Sequence, residues 1–182
     1  MLAAVESFAS RGYHATTTRD IAGAAGMSPA ALYVHFPSKA ALLFAISESG
    51  HQQTLTLVES VAARDDNPRE KMRMIVEDFV AWHARRHTVA RVVQYELQAL
   101  PEKEYAVVAD LRRRIERIVR DVIAEGAAQG VFTVGDVRTA ARAVLSLGVD
   151  VARWYTERTG KTPKALGRDY AELVLRMLGA QT

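Results

Sequence analysis

Residues 16–39, TTTRDIAGAAGMSPAALYVHFPSK, leave the backbone less choice than any other stretch of the 182-residue chain. Thr17 followed three residues later by Asp20 is an N-cap with a carboxylate at N3, which predicts a helix starting at Thr18. Gly26 accepts positive φ and ends that helix as its C′ residue. Ser28-Pro29 opens the next one, with Ser as N-cap and Pro at the position where a missing N–H costs nothing. Only Met27 separates Gly26 from Ser28. Two helices of about two turns each, joined so tightly, form a helix-turn-helix, whose second helix is able to lie in a DNA major groove. That helix stops at Phe36-Pro37, and Ser38 caps a third.

The wider stretch GYHATTTRDIAGAAGMSPAALYVHFPSKAAL resembles the DNA-binding region of the TetR family of bacterial transcription regulators. The resemblance is carried in register by Thr17, Arg19, Ile21-Ala22, Ala25-Gly26, Leu32-Tyr33, His35-Phe36 and Lys39-Ala40-Ala41-Leu42. It implies a helix-turn-helix domain over residues 1–46 and a regulatory, ligand-binding and dimerisation domain over residues 47–182. It also implies backbone contacts to DNA from Tyr33 and His35, a phosphate contact from Lys39, and anchoring of the opposite strand by Arg19 with Thr17 or Thr18. The N-terminal end of the recognition helix, which reaches base edges in such motifs, offers Ser28, Pro29, Ala30 and Ala31. These are methyl groups and one hydroxyl, better suited to thymine methyls than to bidentate reading of guanine. Relative to the family pattern the first helix begins late, without the Lys- and Arg-bearing residues that commonly precede it. Either the natural start lies upstream or those contacts are made elsewhere.

Charge says little about nucleic acid. The formal net charge is +3, and residues 1–45 set Arg11, Arg19 and Lys39 against Glu6 and Asp20, a balance of +1. A protein held by many phosphate ion pairs usually carries more, so the motif bears the argument for DNA. With 49% hydrophobic residues the chain has enough apolar material for a sizeable core. The absence of cysteine excludes a disulfide scaffold and a thiolate metal site. No run of about 18 apolar residues occurs, and Glu6 interrupts the apolar N-terminus, so the expectation is a soluble, cytoplasmic protein.

Periodicity along the rest of the chain predicts an all-α fold of about nine helices. The first runs from about Leu2 to Ser10, with Leu2, Val5 and Phe8 on one face and Gly12 as its stop. After Lys39 a helix carries Leu42, Leu43, Ile46, Leu55, Val58 and Val61 up to the charged turn Arg64-Asp65-Asp66. In the family this is the connection between head and regulatory domain. Asn67-Pro68-Arg69-Glu70 repeats the capping logic. The stripe Met72, Ile75, Val76, Phe79, Val80, His83 and His87 follows, then Val89, Val92, Val93, Glu96, Leu97 and Leu100. Pro101 opens a long helix with Val107, Leu111, Ile115, Ile118, Val122 and Ile123 inward, closed by Gly130. Asp136 starts a helix through about Tyr155, and a last one carries Leu166, Tyr170, Leu173, Val174 and Met177. All five prolines, at 29, 37, 68, 101 and 163, fall at helix starts or ends, as an all-helical chain requires.

The helix after Asp136 has two apolar stripes: Val137, Ala141, Val144, Gly148, Val151 and Tyr155 on one side, and Ala140, Ala143, Leu147 and Trp154 on the other. It must be covered from both sides. The family dimerises by pairing its last two helices with their two-fold mates, so the expected interface is Val137, Ala141, Val144, Gly148, Tyr155, Tyr170, Leu173, Val174 and Met177. An ordinary central core helix is the alternative.

The expected effector pocket is Phe79, His83, His87, Val92, Glu96, Leu111, Arg114, Ile115, Leu147, Val151 and Trp154. His83 and His87 lie one turn apart, a spacing able to grip a metal, but no third ligand stands near and satisfied histidines are preferred. Glu96 on an apolar stripe needs a partner, either His83, an arginine or a ligand. Arg113, Arg117 and Arg120 read as a solvated face. Asp150 should pair with Arg153 three residues on. Residues 92–132 and 148–178 resemble TetR-type regulators of lipid and sterol catabolism that respond to acyl-CoA thioesters. That implies an apolar tunnel with Arg112, Arg114 and Arg153 as candidates for the CoA phosphates.

No GxSxG elbow, GxGxxG turn, phosphate-binding loop or HExxH pair occurs, so an enzyme is the weaker class and no cofactor is expected. The reading is a homodimeric repressor of operator DNA, released by a small-molecule effector, with an acyl-CoA as the candidate. A repressor answering multidrug or small aromatic ligands is the alternative, and a helical enzyme or adaptor stands further off.

Overall fold

The computed structural model describes residues 1–180. Among them are nine α-helices and no strand: α1 (Leu2–Arg11), α2 (Thr18–Ala24), α3 (Pro29–His35), α4 (Lys39–Ala62), α5 (Pro68–Arg85), α6 (His87–Glu96), α7 (Glu102–Ala128), α8 (Val137–Trp154) and α9 (Pro163–Met177). Short 3-10 turns cover Leu97–Ala99 and Glu157–Thr159. No single helix among the described residues is long and apolar enough to cross a membrane.

The boundaries follow local chemistry. Asn67, Asp136 and Thr162 accept bonds from the first-turn amides of α5, α8 and α9, and Pro68 and Pro163 stand in first turns. At the end of α2, Gly26 has φ 66°, its N–H donates to Gly23 O at 3.1 Å, and Met27 N–H donates to Ala22 O at 2.9 Å. That pair of bonds is a Schellman motif, and Gly130 builds the same pattern behind α7.

The chain forms two compact units. The first comprises Met1–His51 together with Thr88–Asp110. Its core joins Ala4, Val5, Phe8, Tyr13, Ile21, Leu32, Leu42, Leu43 and Ile46 to Val92, Val93, Leu97, Leu100 and Val108. The amphipathic pattern of residues 88–110 shows an inward face but not which core receives it, and the head takes it.

The second unit comprises Gln52–His87 and the chain from Leu111 onward. Its core is built chiefly by α5 packing on α9 and α8, with α7 supplying Leu111, Ile115, Val119, Val122 and Ile123. The expected inward positions Val107 and Ile118 are displaced: Val107 is 43% exposed and Ile118 half-buried, while Val108 and Val119 are fully covered. The stripes 107-111-115-118 and 108-111-115-119 both satisfy helical spacing, and packing selects the second. Gly167 brings α9 against the backbone of α5, for a Cβ there would stand 2.3 Å from Glu77 O.

Candidate nucleic-acid interface and regulatory core

The outer surface of α2 and α3 is fixed by bonds between side chain and backbone. Thr17 Oγ1 accepts from Asp20 N–H at 3.1 Å, while Asp20 Oδ2 accepts from Thr17 N–H at 2.8 Å and from the Thr17 hydroxyl at 2.6 Å. The Thr17 hydroxyl and amide, with Arg11 and Arg19 nearby, hold the Asp20 carboxyl below its ordinary 3.8. Ser28 Oγ accepts from Ala31 N–H at 3.2 Å, leaving its own proton for a partner outside. The hydroxyls of Thr18 and Tyr33 meet at 2.9 Å and tie the two helices together on their exposed side.

Among the expected contact residues Thr17, Arg19, Ser28, Pro29, Ala30, Tyr33 and His35 are exposed, and Thr18 and Ala31 are half-buried. Lys39 is placed otherwise. Its ammonium donates to Tyr13 O at 2.6 Å, to Thr16 O at 2.9 Å and to His14 O at 3.3 Å, and it lies 4.3 Å from the centre of the Tyr13 ring. An ammonium has three protons, and three carbonyls take them. The Lys39 ammonium thus gathers the carbonyls between α1 and α2, a positioning role that competes with the phosphate contact expected of it. Thr16 completes this clasp, its buried hydroxyl lying 2.7 Å from Gly12 O and 3.1 Å from Ser7 O. Val34, which the sequence reading passed over, is 81% exposed on α3. Its signal was available, since it lies opposite the core residue Leu32 and beside Ala30 on the helical wheel.

The expected effector residues do not form one group. Phe79, His83, Leu111, Ile115 and Val151 are buried in the second unit. His83 stacks on Phe79 with ring centres 4.3 Å apart, and its Nδ1 lies 2.8 Å from Phe79 O. His87 Nδ1 lies 3.0 Å from Ala84 O, and its ring is 5.7 Å from that of Tyr155. A carbonyl only accepts, so both Nδ1 atoms carry protons. Trp154 is half-buried beside Tyr155. Val92 and Glu96 belong instead to the first unit, where Glu96 Oε1 accepts from Tyr13 N–H at 3.3 Å. Glu96 thus has a backbone partner in Tyr13, and neither His83 nor an arginine lies in a described ion pair with it. Arg114 is engaged by Glu59 at 3.0 Å. The expected Arg153–Asp150 pair is present at 2.7 Å.

The two faces of α8 are buried in the opposite sense to that expected. Ala141, Val144, Gly148 and Val151 are buried, and a Cβ on Gly148 would stand 2.6 Å from the Phe79 ring. Tyr155 is buried too, its hydroxyl donating to Lys161 O at 3.1 Å, and Val174 is covered on α9. These five expected interface residues, Ala141, Val144, Gly148, Tyr155 and Val174, face their own core. Leu147, expected in the pocket, is 42% exposed, alongside Leu173 at 51% and Met177 at 44%. Tyr170 and Val137 are half-buried. A helix apolar on two sides does not declare which side is inner, and Gly148 goes where Phe79 arrives.

A model of the family described as bacterial regulatory proteins, tetR family, matches residues 1–46, and one described as tetracyclin repressor-like, C-terminal domain, matches residues 65–178. The HTH-type transcriptional repressor KstR2 of Mycobacterium tuberculosis is 27% identical over 176 residues, covering 94% of this chain and 87% of that protein. A solved regulatory protein in the tetR family from Rhodococcus RHA1 superposes with a TM-score of 0.93 at 40% identity, covering 100% of this chain and 95% of that one. AibR, solved in complex with isovaleryl coenzyme A and operator DNA, superposes with a TM-score of 0.83 at 22% identity, covering 97% of this chain and 94% of that one. At that identity the likeness is one of fold.

Proposed function

We propose, from the premise that this chain belongs to the TetR family of bacterial regulatory proteins, that it is a cytoplasmic, homodimeric transcriptional repressor whose hold on operator DNA is released by an acyl-CoA thioester. The observation that carries the DNA reading is the exposed end of α3. Ser28, Pro29, Ala30 and Tyr33 face outward on a helix held by a cap, a hydroxyl pair and the Lys39 clasp. A rigid, lightly charged surface of this kind reads DNA by methyl contacts and shape, with few phosphate ion pairs. The DNA-contacting motif lies within residues 1–46, residues 88–110 complete its compact unit, and the regulatory role falls to the rest of the chain.

The dimer reading rests on Leu147, Leu173 and Met177, large apolar side chains exposed on α8 and α9, with Tyr170 and Val137 beside them. Such a patch on neighbouring helices marks an association surface. Two recognition helices about 34 Å apart engage successive turns of one DNA face, so an effector favouring another separation lowers affinity.

The effector reading rests on the resemblance of residues 92–132 and 148–178 to acyl-CoA-responsive regulators, and AibR is a fold neighbour that holds such a ligand. The pocket is proposed around Phe79, His83, His87, Leu111, Ile115, Val151 and Trp154. Each buried methylene of the chain contributes about 0.8 kcal/mol.

The test is fluorescence anisotropy of labelled promoter DNA titrated with the protein, then with acyl-CoAs, the matching free acids and aromatic drugs. Release by the thioester at micromolar concentrations, with the free acid far weaker, is the expected result. Release only by an aromatic or cationic drug overturns the acyl-CoA reading and leaves the repressor standing. Failure to retard any promoter fragment overturns both.

A further inference from the structure

The arginines of α7 that read as a solvated face meet those of α8. Arg113, Arg117 and Arg120 lie at helical spacing on α7, Arg138 and Arg142 on the first turns of α8, and together with Glu116 they line an open cleft of about 270 Å³ within the second unit. Five guanidiniums and one carboxylate share this space. Glu116 is taken by Arg142 at 3.2 Å, and Arg120 is turned to Asp121 at 3.3 Å. Among the described residues no ion pair engages Arg117 or Arg138.

This arrangement works against the fold. Like charges gathered in one cleft repel, and Arg138 adds a cation to the first turn of α8, the end where the helix dipole favours anions. The lining contains no apolar side chain, so an apolar ligand body has nothing to pack on there. The volume falls just under the roughly 300 Å³ at which pockets for drug-sized molecules begin, which suits an anionic group better than a whole cofactor. Guanidinium forks match phosphate oxygens bidentately, and the forks of Arg117 and Arg138 lie in no ion pair, Arg138 interacting with the Asp136 carboxylate only at longer range.

We propose that the cleft between α7 and α8 is a binding site for a small molecule carrying at least two phosphate groups, received by Arg117 and Arg138 with the neighbouring arginines completing the charge. This goes beyond the effector reading and stands without it. The same chemistry is presented by the nucleotide end of a CoA thioester and by a free nucleotide diphosphate. The two arginines named for CoA phosphates that lie in described ion pairs, Arg114 and Arg153, are held by Glu59 and Asp150. The cleft arginines are the better-placed candidates.

The experiment is calorimetric titration of the full chain with coenzyme A, an acyl-CoA, ADP, adenosine and duplex promoter DNA at low and high salt. It is run on the native protein, on Arg117→Glu and Arg138→Glu, and on Arg158→Glu as an exposed charge reversal beyond the other end of α8. Circular dichroism confirms that each variant is folded. Coenzyme A and ADP should bind and compete, adenosine should not, and salt should weaken binding. Each cleft reversal should lower affinity roughly tenfold or more, while Arg158→Glu leaves it unchanged. Equal affinity for coenzyme A and ADP assigns the cleft to nucleotide phosphates generally, and a preference for coenzyme A assigns it to the nucleotide end of CoA compounds; either supports the site. Affinity unmoved by both cleft reversals, or no phosphate-dependent binding at low salt, overturns it. So does a loss confined to duplex DNA binding, which would make the cleft a DNA surface. An acyl-CoA that binds with equal affinity to native and reversed proteins sinks the cleft but leaves the effector reading intact. ADP binding lost on reversal, with no gain from an acyl chain, does the opposite.

Discussion

The two compact units are held together by different physics. In the first, α2 and α3 have seven residues each, too short to persist alone, and side chains bonding to backbone define them. Lys39 takes three carbonyls, Thr16 two, and Thr17, Ser28 and Ser38 cap the helices that follow them. In the second unit, long helices meet where glycine removes a side chain. Gly167 lets α9 touch the backbone of α5, Gly148 admits Phe79, and Gly126 admits the ring of Phe132 at a distance where a Cβ would overlap it. The lesson is that the helix-turn-helix surface is fixed by polar geometry, and the core of the second unit by close packing. Substitutions that break one should leave the other's signature intact.

The largest effect is expected from Gly167→Leu. A side chain at this position meets the Glu77 carbonyl, which has no rotamer to move, so the α5–α9 crossing must open. A loss of roughly 3 kcal/mol or more is expected in urea unfolding of the second unit. A near-native midpoint would show that the crossing is not rigid.

Lys39→Met comes next. It keeps much of the stem but strands three carbonyls, costing about 2 kcal/mol, and hydrogen exchange should quicken in α2 and α3 first. DNA affinity should then fall with the salt dependence unchanged. A slope reduced by about one unit would instead mean that Lys39 does contact a phosphate.

The two faces of α8 and α9 offer a paired test of intermediate size. Gly148→Ala should cost about 1–2 kcal/mol as the Phe79 ring gives way, and should leave the proposed dimer assembled. Leu173→Glu should do the reverse, dissociating the proposed dimer in sedimentation while the protomer remains folded. Dissociation by the first and not the second would restore Gly148 to the interface.

The smallest effect is a pH dependence of the head. Asp20 is held below 3.8 in the folded protein by Thr17, so it binds fewer protons folded than unfolded. Its contribution is present above 3.8 and disappears as pH falls through the lower, folded value. The gap between the urea midpoints of native protein and Thr17→Ala should therefore be wider at pH 6 than below that value, where only the loss of the Thr17 cap on the Asp20 amide remains. A gap of the same size at both pH values would assign the effect to the Thr17 cap alone.

Much of the fold was legible because its signals are local. Thr17-Asp20, Gly26, Ser28-Pro29, Asn67-Pro68, Asp136 and Thr162-Pro163 act on amides within four residues, so the helix ends could be read without knowing what packs on them. The head motif was legible for the same reason. Tertiary structure alone decided four matters: that residues 88–110 complete the head, that Glu96 caps Tyr13, that Lys39 is consumed by carbonyls, and that Gly148 faces inward while Leu147 faces out. It also decided that arginines more than twenty residues apart in sequence, Arg117 and Arg138, line one cleft. Helical periodicity states how many faces of a helix are apolar or charged. Which neighbour each face meets depends on groups distant in sequence, and only the packed chain brings those together.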